Sequence, residues 1–100
     1  MIVVSVKRNS VRVEKLRIEG HAGYGKCGED IVCAAVSVLV QNLVASIEEL
    51  TDDKIEYELT EGLAKIEFKD LSGKGKILID SFFVGICDIK SEYPGYIEIK

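Results

Sequence analysis

Asp30-Ile31-Val32-Cys33-Ala34-Ala35-Val36-Ser37-Val38-Leu39-Val40-Gln41-Asn42-Leu43-Val44-Ala45-Ser46-Ile47-Glu48-Glu49-Leu50 lies within the longest run of this chain that has neither glycine nor proline. Its apolar residues at Ile31, Ala34, Ala35, Val38, Leu39, Leu43 and Ile47 recur at helical spacing, and Val32, Val36, Val40 and Val44 widen the apolar surface around them. The spacing predicts a helix from Asp30 to about Leu50. A helix apolar on nearly every side must be covered on more than one face, by a sheet and by a second helix or another subunit. This segment is therefore expected at the centre of the fold, and a homodimer interface along it is one way of covering it.

The flanking segments supply the sheet. Residues 2 to 6 and 11 to 19 are rich in valine and isoleucine alternating with charge, and Asn9-Ser10 between them reads as a turn, so the chain is expected to start with a hairpin. After Thr51-Asp52-Asp53, residues 54 to 59 and 63 to 69 alternate around Thr60-Glu61-Gly62 and predict a second hairpin. Residues 71 to about 92 carry Ile77, Leu78, Phe82, Gly85, Ile86 and Ile89 at helical spacing and stop at Pro94-Gly95. Tyr96-Ile97-Glu98-Ile99-Lys100 alternates as a short last strand. The order β-β-α-β-β-α-β implies an α+β domain: two helices on an antiparallel or mixed sheet of about five strands.

A chain of 100 residues with 47% apolar and 30% charged side chains is expected to form a single domain, residues 1 to 100, around one core. Its net charge of -4, with lysine and arginine scattered among more numerous acids, argues against direct nucleic-acid binding and leaves a basic partner easier to accommodate. The first residues lack the pattern of a signal peptide, and no apolar run was expected to reach the roughly 20 residues that cross a bilayer, so the expected setting is cytoplasmic, with no membrane partner. Three cysteines without secretory features imply free thiols rather than a disulfide framework. Cys87, inside the apolar run 79 to 89, is expected to be a buried small hydrophobe without a role.

Chemistry is concentrated just before the central helix, in Gly20-His21-Ala22-Gly23-Tyr24-Gly25-Lys26-Cys27-Gly28-Glu29-Asp30-Ile31-Val32-Cys33, which holds the only histidine. With Asp30 as N-cap, Cys33 occupies the third helical position, where unpaired N–H groups and the positive end of the helix dipole favour a thiolate. His21 is the candidate imidazole partner, and Asp30 is open to two competing roles, capping the helix or orienting that imidazole. Ser37, one turn beyond Cys33, is placed to line the same site. By composition alone the glycines favour a plain connector over a mobile flap; a flap over the site is the functional reading. His21, Cys27, Cys33 and Asp30 also contain plausible zinc ligands, but without the paired spacing of structural zinc sites. No cofactor or metal is expected.

The triplet Gly20-His21-Ala22, a glycine-rich stretch, and then Gly28-Glu29-Asp30-Ile31-Val32-Cys33-Ala34 resemble the signature of the ribosomal-processing cysteine protease (Prp) family, a GHA triplet followed by G-x-D-I-V-C-A opening a helix. The resemblance extends over the whole chain in length and element order and departs from the pattern at Cys27. It implies that Cys33 is the nucleophile and His21 the general base and acid, with Asp30, Gly20 and Ser37 supporting. It also implies a homodimer whose substrate is a basic precursor, large-subunit ribosomal protein twenty-seven with an N-terminal extension. The acidic residues Glu48, Glu49, Asp52 and Asp53 are read as a solvated helix end rather than as a docking patch for that substrate. The alternative is a non-catalytic, ribosome-associated interaction protein that keeps the fold with Cys33 buried and inert.

Overall fold

The computed structural model describes residues 1–26 and 28–100. Cys27, the additional thiol and candidate zinc ligand of the glycine-rich stretch, lies outside the described residues. The elements follow the expected order: β1 (Ile2–Arg8), β2 (Val13–Glu19), α1 (Ile31–Leu50), β3 (Ile55–Thr60), β4 (Leu63–Phe68), α2 (Gly73–Glu92) and β5 (Ile97–Ile99). The strands form one mixed sheet in the order β3-β4-β2-β1-β5, antiparallel except where β5 runs parallel to β1.

The first hairpin turns on Asn9, whose side-chain oxygen accepts the N–H groups of Val11 and Arg12, both at 2.8 Å, while its own N–H reaches the Arg12 carbonyl. An asparagine side chain here does the work of a turn's backbone acceptor. The register shifts between Lys7, opposite Lys15, and Arg8, opposite Val13. That bulge lets Val13 join Leu16 and Ile18 in the core although the spacing from 13 to 16 breaks strict alternation. Val4, Leu16 and Ile66 fill the middle of the inner face, while Lys15, Arg17 and Lys65 stand in solvent on the other.

Helix α1 lies on this inner face through Val32, Val36, Val40, Leu43, Val44 and Ile47. Each such side chain contributes about 1.5–3 kcal/mol by leaving water. The buried stripe is thus the valine series with Leu43 and Ile47, and three residues of the first apolar set point outward: Ala34 is exposed, Ile31 is 52% and Val38 64% exposed. By length and composition alone α1 could cross a membrane, contrary to the sequence expectation. Its buried stripe meets the sheet.

Helix α2 starts at Ser72, whose hydroxyl accepts the Gly75 N–H and donates to Asp53 Oδ2 at 3.0 Å; the Ser72 N–H also reaches the Asp53 carboxylate. Asp53 is therefore a clamp between the two helices rather than part of a freely solvated acidic end. Gly75, Ile79, Phe82 and Ile86 are buried, whereas Ile77 is 68% exposed. Cys87 is exposed, not buried as its apolar neighbours suggested, because it falls about a third of a turn round the helix from the buried stripe of Ile79, Phe82 and Ile86.

The two helices approach through Gly85, where an added Cβ would lie 2.8 and 2.9 Å from the two Leu39 methyl carbons. Gly85→Val is expected to lower the unfolding free energy by about 1–3 kcal/mol through overpacking. Adding Leu39→Ala should recover part of the loss, so a double-mutant cycle in urea is expected to show a favourable coupling; additive losses would place the strain elsewhere.

Candidate active site

The end of β2 sets the histidine. Gly20 continues the ladder one step past the last register pair, Glu19 opposite Leu63, by donating its N–H to the Gly62 carbonyl at 2.9 Å. Its φ of +100° belongs to the region that favours glycine, and a Cβ there would overlap the Met1 carbonyl oxygen. Gly20 thus acts through its backbone: it turns the chain so that His21 stands over the β3–β4 turn. The His21 carbonyl accepts the amine of Met1 at 2.7 Å.

The start of α1 sets the cysteine. Asp30 is the N-cap, and its Oδ1 accepts the N–H groups of Val32 and Cys33, both at 3.0 Å. Its Oδ2 accepts those of Tyr24 (2.9 Å) and Gly25 (3.1 Å). The choice left open by the sequence is settled at these oxygens: both serve backbone donors, so Asp30 caps the helix and ties the preceding loop to it. Asp30 is 8% exposed, and the pKa of its carboxyl is lowered from the ordinary value, chiefly by the Cys33 N–H against the opposing effect of burial, with Gly25, Tyr24 and Val32 adding to the lowering.

The loop between them is irregular, as the glycines imply, with positive φ at Gly23 and Gly28. It is also anchored. The Tyr24 ring meets Tyr93 and Tyr96 edge-on, at centroid distances of 5.1 and 5.2 Å, a favoured aromatic geometry. Two residues before that anchor, the Ala22 N–H donates to Cys33 Sγ at 3.2 Å. A hydrogen-bond donor aimed at sulfur suits a negatively charged nucleophile.

Cys33 is half-buried, and a cavity of about 780 Å³ opens beside it between the first half of α1 and the end of the sheet. All five residues nominated from the sequence, Gly20, His21, Asp30, Cys33 and Ser37, line this cavity. Ser37 and Gln41 follow Cys33 at one-turn intervals along α1 and give the floor a polar strip; Ile2, Ile18, Leu59 and Leu63 make its apolar walls. Unpaired N–H groups at a helix start are one source of donors for a developing oxyanion. The N–H groups of Val32 and Cys33 are engaged by the Asp30 side chain, and that of Ala34 by the Asp30 carbonyl.

Sequence reasoning missed Gln41, Gly62 and Tyr24. Gln41 was findable from the four-residue spacing beyond Ser37. The other two join the site through contacts distant in sequence, for which the chain carries no local signal. Among the described residues no group of three or more histidine, cysteine or acidic side chains is arranged to hold a metal ion, and both Asp30 oxygens are already engaged.

Comparison with known proteins points the same way. The family model described as cysteine protease Prp matches residues 1–98. A ribosomal processing cysteine protease Prp from Staphylococcus aureus is 30% identical, with 100% of this chain and 98% of that protein covered. The crystal structure of an essential Prp from S. aureus with a covalently linked product peptide superposes with a TM-score of 0.94 at 27% identity, covering 100% of this chain and 98% of that one. The complex of that protease with a substrate peptide gives 0.88 at 26% identity, with the same coverage.

Proposed function

Because this chain belongs to the Prp family of cysteine proteases, we propose that Cys33 and His21 form its catalytic pair and that it removes the N-terminal extension of large-subunit ribosomal protein twenty-seven during ribosome assembly. The observation that carries the assignment of residues is the meeting of Cys33, at the third position of a capped helix, with the His21-Ala22 segment, whose N–H is aimed at the sulfur in one cavity.

In this reading the Cys33 thiolate attacks the scissile carbonyl carbon. A carbon–sulfur bond forms and the carbonyl electron pair moves to oxygen. Collapse expels the amine of the downstream peptide, which takes its proton from the His21 imidazolium, and leaves a thioester. Neutral His21 then takes a proton from water as the water oxygen attacks the thioester; the carbon–sulfur bond breaks, and thiolate and imidazolium are restored. The covalently linked product peptide in the S. aureus structure accords with covalent chemistry of this type. Asp30 supports the pair by holding both the helix start and the loop, Gly20 by turning the chain into His21, and Ser37 by lining the cavity.

The proposed setting is the cytoplasm, where free thiols stay reduced. The proposed assembly is a homodimer: Ile31 and Val38 on α1 and Ile77 and Val84 on α2 leave large apolar side chains in water, which a second copy would cover. The test of the substrate uses a peptide spanning the extension junction of the source organism's ribosomal protein and a control peptide of the same composition in scrambled order. Cleavage of the first at one bond, with the second intact by mass spectrometry, is expected. Equal cleavage of both, or of neither, would overturn the substrate assignment.

A further inference from the structure

The geometry points to Gly62, in the turn between β3 and β4, as the positioning residue for the His21 imidazole, an inference that rests on the reading of His21 as general base. Two independent contacts join the residues. The Gly62 carbonyl holds the N–H of Gly20, the residue just before His21, at 2.9 Å. A Cβ added to Gly62 would lie 2.9 Å from His21 Nε2, 3.3 Å from Cε1 and 3.7 Å from Cδ2. The outer edge of the ring therefore rests over the place where any other L-residue would put its side chain.

Gly62 also has φ +74°, and a hairpin turn alone could account for a glycine there. The two roles make different demands. A turn needs only a residue that tolerates positive φ, which asparagine and aspartate also do at modest cost. The ring needs the absence of a side chain on one face of the Cα. Nothing larger than hydrogen leaves the imidazole where it stands, because a gap of 2.9 Å to Nε2 is shorter than carbon and nitrogen accept without displacement. A general base must hold hydrogen-bond reach to the proton it moves, and a misplacement of about 1 Å can cost on the order of 10²-fold in rate.

Stereochemistry tests the face of the Cα, and Gly62→Asn, an L-residue that tolerates positive φ, separates the face from the turn: it is expected to lose kcat as Gly62→Ala does. A D-residue adopts positive φ readily and projects its methyl group from the other face of the Cα. The chain is short enough for assembly by peptide ligation, so Gly62→Ala is compared with the same chain carrying D-alanine at that position. His21 is the only histidine, so its imidazole carbon and nitrogen resonances report on it without ambiguity.

Gly62→Ala is expected to lower kcat by roughly 10- to 100-fold, to leave KM within about twofold and to shift the His21 resonances and the pH–kcat profile. D-alanine is expected to restore wild-type kcat and resonances. In the unaltered protein, nuclear Overhauser contacts between the Gly62 α-protons and the His21 ring protons are expected, which keeps the inference testable if Gly62→Ala does not fold. Absence of those contacts overturns it. So does an equal loss for both alanine enantiomers, and so does wild-type kcat with unmoved resonances in Gly62→Asn, which would leave only a backbone requirement. His21→Gln is measured alongside. If it cleaves at the wild-type rate, the base assignment fails and takes this inference with it; if it is inactive while Gly62→Ala cleaves normally with unmoved resonances, only the role of Gly62 falls.

Discussion

A Cys33→Ala chain is expected to fold with an unchanged far-UV spectrum and to lose peptide cleavage by at least about 10⁴-fold, the scale of loss when a nucleophile is removed from a protease. The fold should survive because the Cys33 side chain is only half-buried and the Asp30 cap binds its backbone N–H, not its sulfur. Cys33→Ser is the stricter form. The hydroxyl keeps the shape of the thiol, but a serine needs an oriented base to become nucleophilic, and the Asp30 oxygens are committed to backbone donors. It too should be inactive, although the Ala22 N–H still has an acceptor. Cys87→Ala, exposed on α2, should cleave like the unaltered chain. Activity retained in Cys33→Ser and lost in Cys87→Ala would reverse the assignment.

Asp30→Ala should produce the next largest loss. It removes the acceptor of four N–H groups, those of Val32 and Cys33 on one side and Tyr24 and Gly25 on the other. The loop that carries the Ala22 donor and the helix that carries the nucleophile are then no longer held to one another, and kcat/KM is expected to fall by about 10²-fold, the cost of misplacing reacting groups by about 1 Å. Asp30→Asn divides the two roles. Asparagine is as good an N-cap as aspartate, but its amide nitrogen would face the Tyr24 and Gly25 donors. Its thermal midpoint should lie between those of Asp30→Ala and the unaltered protein, because the cap survives while the Tyr24 and Gly25 donors lose their acceptor, and its activity should stay well below that of the unaltered protein.

The same carboxylate sets a pH dependence of stability. Its folded pKa lies below the ordinary value of 3.8, so over the interval between the two the unfolded chain binds more protons than the folded one. The contribution of Asp30 is therefore complete above about pH 3.8 and is lost as the pH falls through the lowered value. Urea midpoints at pH 6 and pH 3 should differ less for Asp30→Asn than for the unaltered protein. The comparison is needed because Glu67, lowered mainly by its hydrogen bond from Lys69, also destabilises the fold on acidification. An equal pH dependence in both chains would mean that the Asp30 carboxylate is not what acid attacks first.

Much of this was legible in the residues. Alternation in residues 2 to 19 and 54 to 69, and helical spacing after Asp30 and Leu71, placed all seven elements within a few residues, because each stretch has one period and distinct ends. The inner face of α1 was harder to assign, since an apolar residue stands at nearly every position and composition does not choose among faces; the sheet chose the valine series. Cys87 was misplaced for a related reason: an apolar run says that a helix is packed, not which of its positions face inward. The bulge at β2 showed only as a broken alternation between Val13 and Leu16.

At the site, the Asp30 cap and the third-position cysteine followed from local rules of helix ends, and the structure keeps both. The second task of Asp30 did not follow from those rules, because loop closure back to Tyr24 and Gly25 depends on where Tyr24 is anchored. That anchor consists of Tyr93 and Tyr96, far along the chain. The contact of His21 with Gly62 is of the same kind, a product of β2 lying beside β4.

The measurement closest to the central claim is acid quenching of the protein during turnover of the junction peptide, followed by peptide mapping with mass spectrometry. An acyl group equal in mass to the upstream part of the substrate is expected on the fragment containing Cys33, released by hydroxylamine, in amounts that rise and decay as product forms. Product formation with that fragment unmodified throughout, or with the acyl group on Cys27 or Cys87, would contradict that claim.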